Sequence, residues 1–185
     1  MRLFIAMPLP VEIEKMLSEV IFDLKQNRAK VKWVDPKNIH LTLKFLGETD
    51  EKLVPGIIEA IKHAVEKYRA VISEFNGLGA FPNPKRPRVI WAGLAGGIEN
   101  LADIAGYIEN EMEKLGFEKE DRPFKSHLTL GRVKDNFRIE EVTERIKNHK
   151  LSPTELVFDK IVLFKSTLRP EGPIYERLFE TELQK

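Results

Sequence analysis

The sequence predicts an α+β or mixed-sheet protein whose chain folds as two related lobes. Two observations support this fold class. Segments with apolar residues at helical spacing alternate with short apolar segments typical of strands, and the connections between them are short. In addition, the tetrapeptide HLTL occurs twice, at 40–43 and 127–130, which indicates that the second half of the chain repeats the first. We therefore expect two lobes related by a rough twofold axis.

The first half contains four predicted strands and two predicted helices. The strands are RLFIAMPL, VKWV, NIHLTLKFLG and AVISEFNGLGAF. Pro8 and Pro10 close the first strand, because proline lacks the N–H that a sheet requires. The first helix is predicted from apolar residues at helical spacing, namely Ile13, Met16, Leu17, Val20, Ile21 and Leu24. The second helix opens near Pro55, and its apolar stripe comprises Ile57, Ile58, Ile61, Ala64, Val65 and Tyr68.

The second half repeats this order of elements. After the proline-rich loop PNPKRPR, VIWAGL is predicted to be a strand. A third helical stripe runs through Leu101, Ile104, Ile108, Met112 and Leu115 and ends at Gly116. The second HLTL strand follows, then a helix from about Ile139 to Lys147. Two more strands, near Leu156–Phe164 and Ile174–Phe179, complete the chain.

The repeat extends beyond the tetrapeptide. His40 and His127 lie 87 positions apart, and the same offset places Leu17 on Ile104 and Ile21 on Ile108 without a gap. Predicted strands therefore coincide with strands, and helices with helices. We expect one domain, 1–185, that contains two copies of a unit at about 2–79 and 89–165.

Composition excludes several classes of function. The chain has no cysteine, so disulfides, thiolate nucleophiles and cysteine-based metal sites are absent. A net charge of +1 does not describe a protein that coats nucleic acid non-specifically, although it permits a site for one phosphate. No apolar run is long enough for a membrane span or a signal peptide. We expect a monomeric cytoplasmic protein that has no contact with membranes.

The HLTL tetrads place histidine and threonine together on one strand face. Side chains alternate along a strand, so Leu41 and Leu43 point into the lobe while His40 and Thr42 point away from it, and the same holds for the second copy. Across a twofold axis the two His/Thr pairs would face each other. Two imidazoles with a reference pKa near 6.5 suit general acid–base catalysis. Threonine hydroxyls beside them suit a phosphoryl group, to whose oxygens they donate hydrogen bonds.

Cations near the tetrads would assist with an anionic substrate. If the first strand continues regularly, Lys44 shares the face of His40 and Thr42. In the second copy Arg132 is out of phase by one residue. Gly131 offers a remedy, because glycine in a strand often marks a bulge that re-aims its neighbour. A guanidinium there would hold phosphate in a bidentate manner.

Five segments together resemble a known family. These are RLFIAMPLP, HLTLKFLG, FPNPKRPRVIWAGL, SHLTLGR and LFKSTLRPEGPIYERL. Paired H-x-T-x tetrads in a chain of this size resemble the 2H phosphoesterase superfamily. The five segments in this order resemble its 2′-5′ RNA ligase family, also called RNA 2′,3′-cyclic phosphodiesterases. The resemblance covers nearly the whole chain.

The resemblance implies a fold, an activity and residue roles. The fold would be two pseudo-symmetric lobes around a central cleft, each a mostly antiparallel sheet with helices on its outer face. The activity would be metal- and cofactor-independent opening of a 2′,3′-cyclic phosphate at an RNA end, with tRNA halves joined in the reverse, 2′-5′ ligation. His40 would donate a proton to the leaving oxygen and His127 would accept one from water. Thr42, Thr129 and Arg132 would bind phosphate oxygens.

Several alternatives remain open from the sequence. Either histidine could be the acid, and the pair could be structural or serve a non-catalytic module that binds RNA ends or nucleotides. A zinc site would lack its remaining ligands. The cations of KRPR in the proline-rich loop could guide an RNA strand or simply be solvated. Four aromatic residues could stack on a base or belong to the core: Trp33, Phe45, Phe81 and Trp91.

Overall fold

The computed structural model describes residues 1–26 and 28–185. Within them, four helices lie against two sheets. The strands are β1 Arg2–Pro8, β2 Val31–Trp33, β3 His40–Glu48, β4 Val71–Phe81, β5 Val89–Ala95, β6 His127–Val133, β7 Glu155–Phe158, β8 Lys160–Thr167 and β9 Ile174–Glu182. The helices are α1 Val11–Leu24, α2 Val54–Lys67, α3 Ile98–Lys114 and α4 Ile139–Asn148. Short 3-10 helices precede β3 and α2, at Pro36–Asn38 and Glu51–Leu53.

Both sheets are antiparallel. One has four strands in the order β3-β1-β8-β9, and the other has five in the order β2-β6-β5-β4-β7. The strands that carry the HLTL tetrads, β3 and β6, therefore belong to different sheets. These two strands also approach each other in space. The predicted α+β fold of two lobes is confirmed.

Helices cover one face of each sheet. α2 contacts β8 and β9, α3 contacts β3 and β4, and α4 contacts β4. On that side Leu3, Ile5 and Met7 are fully buried in a core cluster that also includes Ile90 and Ala92 of the other sheet. The core is thus continuous between the lobes. Because this apolar face is buried against the helices, the histidines lie on the opposite face of each sheet.

The predicted strand at Leu156–Phe164 is wrong in one respect, because it consists of two strands. β7 pairs with β4 in the five-stranded sheet, and the chain then enters the four-stranded sheet at Lys160, where β8 pairs with β1. Asp159 lies between the two strands. Leu156, Phe158 and Ile161 are all buried, so a nearly continuous apolar segment conceals the change of sheet.

The last strand of each predicted unit pairs with the first strand of the other unit. β4 ends the first unit and pairs with β5, and β8 ends the second unit and pairs with β1. Each sheet therefore contains strands from both halves of the chain. This reciprocal pairing supports our proposal of a duplicated unit within one domain.

No helix among the described residues is long and apolar enough to cross a membrane.

Candidate active site

The two HLTL histidines occupy equivalent positions, each as the first residue of its strand. Leu41 and Leu128 are fully buried on the helix side, whereas His40 and His127 are partly exposed on the opposite face. The predicted alternation of faces is confirmed. It results from the period of two along a strand together with burial of the leucines.

Both imidazoles make the same hydrogen bond. Nδ1 of His40 lies 2.8 Å from the carbonyl oxygen of Asn38, and Nδ1 of His127 lies 2.8 Å from the carbonyl oxygen of Lys125. A carbonyl oxygen only accepts, so Nδ1 carries a hydrogen and donates it in each case. This assignment leaves Nε2 of both rings to accept a proton or, once protonated, to donate it.

His40 lies in an aromatic enclosure formed by the four-stranded sheet. Its ring is stacked on Phe4 at 4.8 Å between centroids, meets Tyr175 edge-on at 5.5 Å, and lies 6.1 Å from Phe164. Burial lowers the pKa of His40 to about 4, and the hydrogen bond to Asn38 only partly opposes this change. His40 is therefore neutral at neutral pH in the ligand-free protein.

Fewer aromatic rings surround His127 than surround His40. Phe81 meets its ring edge-on at 5.2 Å and in turn contacts Trp91 at 5.0 Å. Burial is the largest cause that lowers the pKa of His127, and the charges of Arg132 and Lys125 lower it further, against the hydrogen bond to the Lys125 carbonyl. The pKa values of both histidines are thus lowered, chiefly by burial.

Each histidine has a threonine two residues later on the same strand face. Thr42 and Thr129 are partly exposed there, and within residues 1–26 and 28–185 neither hydroxyl has a hydrogen-bond partner. Both hydroxyls are thus free to donate to a ligand that lies against this face.

A β-bulge brings Arg132 onto the histidine face. Ile90 pairs with Gly131 and Trp91 pairs with Thr129, so Leu130 is left without a partner. The extra residue shifts the alternation, and Arg132 then points to the same side as Thr129. The predicted bulge is confirmed, one residue before Gly131.

Arg132 acts electrostatically on both lobes. Its charge lowers the pKa of His127 on its own sheet. The same charge opposes the rise in pKa that burial causes at Tyr175, which contacts His40 on the other sheet. The charge of Arg132 therefore acts on one group in each sheet, His127 in one and Tyr175 in the other.

Lys44 is not on the histidine face, so that prediction is wrong. β3 has its own bulge, because Ile5 pairs with Lys44 and Ala6 pairs with Thr42, which leaves Leu43 unpaired. Lys44 is turned to the helix side, where it is 3% exposed. There its Nζ donates to Glu109 Oε1 at 2.7 Å and to the Glu118 carbonyl oxygen at 2.7 Å. An ammonium held in this way does not bind a substrate.

The same bulge puts Phe45 on the histidine face. Phe45 stands 87 positions before Arg132 and has the equivalent place in the first unit. It is 52% exposed, and its ring lies 5.8 Å from that of Phe4. The other candidate stacking residues differ: Phe81 and Trp91 lie at His127, whereas Trp33 packs against the core.

A small polar cavity beside His40 was not predicted from the sequence. Charged residues in its lining are Glu14, Lys37 and Arg177, and Tyr175 also borders it. Burial raises the pKa of Glu14, and Arg177 opposes this rise. These residues come from α1, the 3-10 helix before β3, and β9, so no local sequence pattern joins them. The only hint was the segment GPIY, in which Tyr175 matches the family resemblance.

Comparison with known families agrees with this geometry. The model of the family described as LigT like phosphoesterase matches residues 7–91 and 94–175. The chain belongs to this family. The LigT-like match covers both HLTL tetrads, Arg132 and Tyr175.

Two related proteins match nearly the whole chain. A Thermotoga maritima protein named RNA 2′,3′-cyclic phosphodiesterase is 34% identical over 184 residues, which is 100% of this chain and 96% of the relative. An Archaeoglobus fulgidus protein of the same name is 36% identical, over 97% of this chain and 100% of the relative.

Solved structures show the same fold. TT0787 of Thermus thermophilus superposes with a TM-score of 0.82 at 29% identity, and the match covers 100% of this chain and 98% of that protein. Escherichia coli LigT in complex with 3′-AMP superposes with a TM-score of 0.76 at 22% identity, with the same coverage. The LigT-like fold is therefore shared over the full length.

Proposed function

We propose that this LigT-like protein is an RNA 2′,3′-cyclic phosphodiesterase that leaves a 2′-phosphate. The observation that carries the proposal is the repeated His/Thr pair, in which each imidazole donates from Nδ1 to the carbonyl two residues earlier and keeps Nε2 free. Two such groups, one on each sheet, supply both proton transfers of a hydrolysis. The names of the full-length relatives support the same reaction.

The reaction needs one base and one acid. We assign His127 as the base, so that its Nε2 takes a proton from water while the water oxygen forms a bond to phosphorus. The bond between phosphorus and the 3′ oxygen breaks, and His40 Nε2 donates a proton to that oxygen. The products are a 2′-phosphate and a 3′-hydroxyl. In the reverse, ligation direction the two histidines exchange roles.

The acid must acquire its proton with the substrate. The pKa of His40 is about 4 in the ligand-free protein, so its ring is neutral before binding. A cyclic phosphate brings a negative charge to within contact of both rings, which raises their pKa values. Substrate binding therefore promotes protonation of the histidine that acts as the acid.

The remaining groups hold the phosphate. Thr42 and Thr129 donate hydrogen bonds to its non-bridging oxygens, and the Arg132 guanidinium neutralises charge that develops on them. No step requires a metal ion, because two imidazoles carry both protons. The substrate class follows from the ring itself, since only RNA has the 2′ oxygen that closes it. We include tRNA halves among the candidate RNAs and propose that the protein acts as a cytoplasmic monomer.

The test compares a cyclic phosphate with an ester that has a better leaving group. We expect His40→Ala and His127→Ala each to lower kcat on a 2′,3′-cyclic nucleotide by about 10²–10⁴-fold, with unchanged circular dichroism. On a p-nitrophenyl phosphodiester the leaving oxygen needs no proton. The acid variant, His40→Ala, should therefore recover much of its activity there, and His127→Ala should not.

Other outcomes would contradict parts of the proposal. Full activity of either variant on the cyclic nucleotide would exclude two-histidine catalysis, and recovery of His127→Ala alone would reverse the roles. Loss of wild-type activity in EDTA would contradict the metal-free mechanism. If the wild-type protein bound cyclic RNA ends without turnover, it would be a binding module.

A further inference from the structure

The lobe that carries His127 has an excess of unpaired cations. Residues 75–98 and 122–134 contain no aspartate or glutamate. They contain seven cations, namely Lys85, Arg86, Arg88, Arg122, Lys125, Arg132 and Lys134. Among the described residues, none of the seven forms an ion pair. The whole chain has a net charge of only +1, so this excess is local.

The other lobe is different. Around His40 most of the nearby cations are paired with carboxylates, although Arg2, whose charge acts on Tyr175, has no ion pair among the described residues. Lys37 Nζ lies 3.3 Å from Asp35 Oδ2, Lys165 Nζ lies 3.5 Å from Glu176 Oε2, and Arg177 is paired with Glu180. An anion that extends beyond the site would therefore be attracted to the His127 side.

Two of the cations on the His127 side directly oppose each other. Lys32 of β2 and Arg132 of β6 are register partners, so their side chains share the histidine face. Lys32 is exposed and, within residues 1–26 and 28–185, has no ion-pair partner. Like charges directly opposite each other on a sheet are destabilising. An arrangement of this kind is relieved by an anion that contacts both.

The connection between β4 and β5 lies next to the strand that carries Arg132. The Arg88 carbonyl oxygen accepts a hydrogen bond from the Val133 amide at 2.9 Å, and Val89 is the register partner of Arg132. The connection therefore ends beside the strand that carries Arg132. Its cations Lys85 and Arg86 precede Arg88 by three and two residues and are exposed.

We propose that the RNA strand leading to the cyclic end lies across the His127 lobe, along a basic track. The basic track is Lys32, Arg132, Arg86 and Lys85. This inference rests on the proposed function and names the form of its substrate: an oligonucleotide, whose upstream phosphates contact the track, in preference to a mononucleotide. Apart from Arg132, these residues recognise the strand and take no part in the proton transfers.

The experiment compares an RNA decamer that has a 2′,3′-cyclic end with cytidine 2′,3′-cyclic phosphate. Two variants remove track cations, Lys32→Ala and the double change Lys85→Ala with Arg86→Ala. We expect the ratio of kcat/KM for the decamer to that for the mononucleotide to fall in both. The matched control is Lys52→Ala with Lys150→Ala, which removes two exposed, unpaired lysines elsewhere and should leave the ratio unchanged.

Binding gives a second readout that does not need turnover. The decamer with a terminal 2′-phosphate is titrated by fluorescence anisotropy between 50 and 200 mM salt. On single strands the logarithm of the affinity falls against the logarithm of the salt concentration with a slope of roughly 0.7 per phosphate contact. Each lost contact should therefore make the loss of affinity over this salt range about threefold smaller. Ratios and slopes equal to those of the control variant would overturn the track. Absence of turnover on both substrates in the wild type would instead overturn the proposed function, and the binding slopes would still test the track.

Discussion

Each histidine is tuned by the residues around its ring. Phe4, Phe164 and Tyr175 surround His40 and reduce its contact with water, which disfavours the charged form. At His127 nearby cations act in the same direction as burial. Burial therefore favours the neutral form of both rings, and a bound phosphate favours protonation of the one that acts as the acid, which couples binding of the phosphate to uptake of a proton.

This coupling predicts a pH dependence that can be measured residue by residue. In an NMR titration we expect the pKa of His40 near 4 in the free protein and clearly higher once a nucleoside 2′-phosphate is bound. Because the folded pKa lies below the ordinary 6.5, His40 contributes stability above pH 6.5 that is lost as the pH falls towards 4. His40→Ala assigns the resonance. A free-state pKa at or above 6.5 would contradict the enclosure as the cause.

At the scale of single elements, two bulges decide which cations lie on the histidine face. In both tetrads the final leucine, Leu43 or Leu130, is the residue left unpaired. The following positions differ: Lys44 in β3 turns to Glu109, whereas glycine at position 131 in β6 carries no side chain and Arg132 follows on the histidine face. The same local device thus yields a buried ion pair in one lobe and an exposed cation on the histidine face in the other.

Two side chains of β2 leave no room for a side chain at position 131. A Cβ at position 131 would lie 2.8 Å from Val31 Cγ1 and 2.9 Å from Trp33 Cε3. We expect Gly131→Ala to destabilise the protein by about 1–3 kcal/mol through overpacking and to raise KM by displacing Arg132. Thermal unfolding and steady-state kinetics measure both effects.

The matched control for this change lies in α3. A Cβ at Gly106 meets nothing within 4 Å, so Gly106→Ala should stabilise the protein by roughly 0.5–1 kcal/mol without affecting KM. If Gly131→Ala behaved like Gly106→Ala, β2 would not restrict the position of Arg132.

For the whole molecule, the reciprocal strand pairing makes the two lobes one cooperative unit. Each sheet needs strands from both halves of the chain, and the main core is continuous between them. Trp33 and Trp91 both report on the five-stranded sheet. Because the two sheets share one core, we expect a substitution that destabilises one sheet to lower the free energy of unfolding of both together.

A core substitution tests this coupling. Leu163 is fully buried in the four-stranded sheet, and Leu163→Ala should cost about 2–5 kcal/mol. We expect the tryptophan fluorescence and circular dichroism midpoints in urea to fall together. Leu168→Ala is the control, because that side chain is 65% exposed. A fluorescence midpoint that stayed unchanged in Leu163→Ala would show that the lobes unfold separately.

The sequence predicted what depends on short-range periodicity and not what depends on the partner strand. Alternation placed His40 and Thr42 opposite the leucines, and a glycine signalled the bulge before Arg132. The bulge at Leu43 carries no such signal, since it arises from the pairing with β1. The change of sheet at Asp159 also carries no local signal, because both strands beside it are apolar.

The aromatic enclosure of His40 is assembled from distant parts of the chain. Phe4, Phe164 and Tyr175 meet only after β8 and β9 join β1 in one sheet. Sequence analysis therefore identified the two histidines but not the surroundings that set their pKa values.

The connection between β4 and β5 joins the two halves, and each half supplies one imidazole. A break in the backbone there would give two interlocking fragments, each of which completes the sheet of the other. Neither piece alone would carry both groups that move protons, so activity would report directly on their reassembly. We therefore expect the two fragments to work as a split-enzyme sensor.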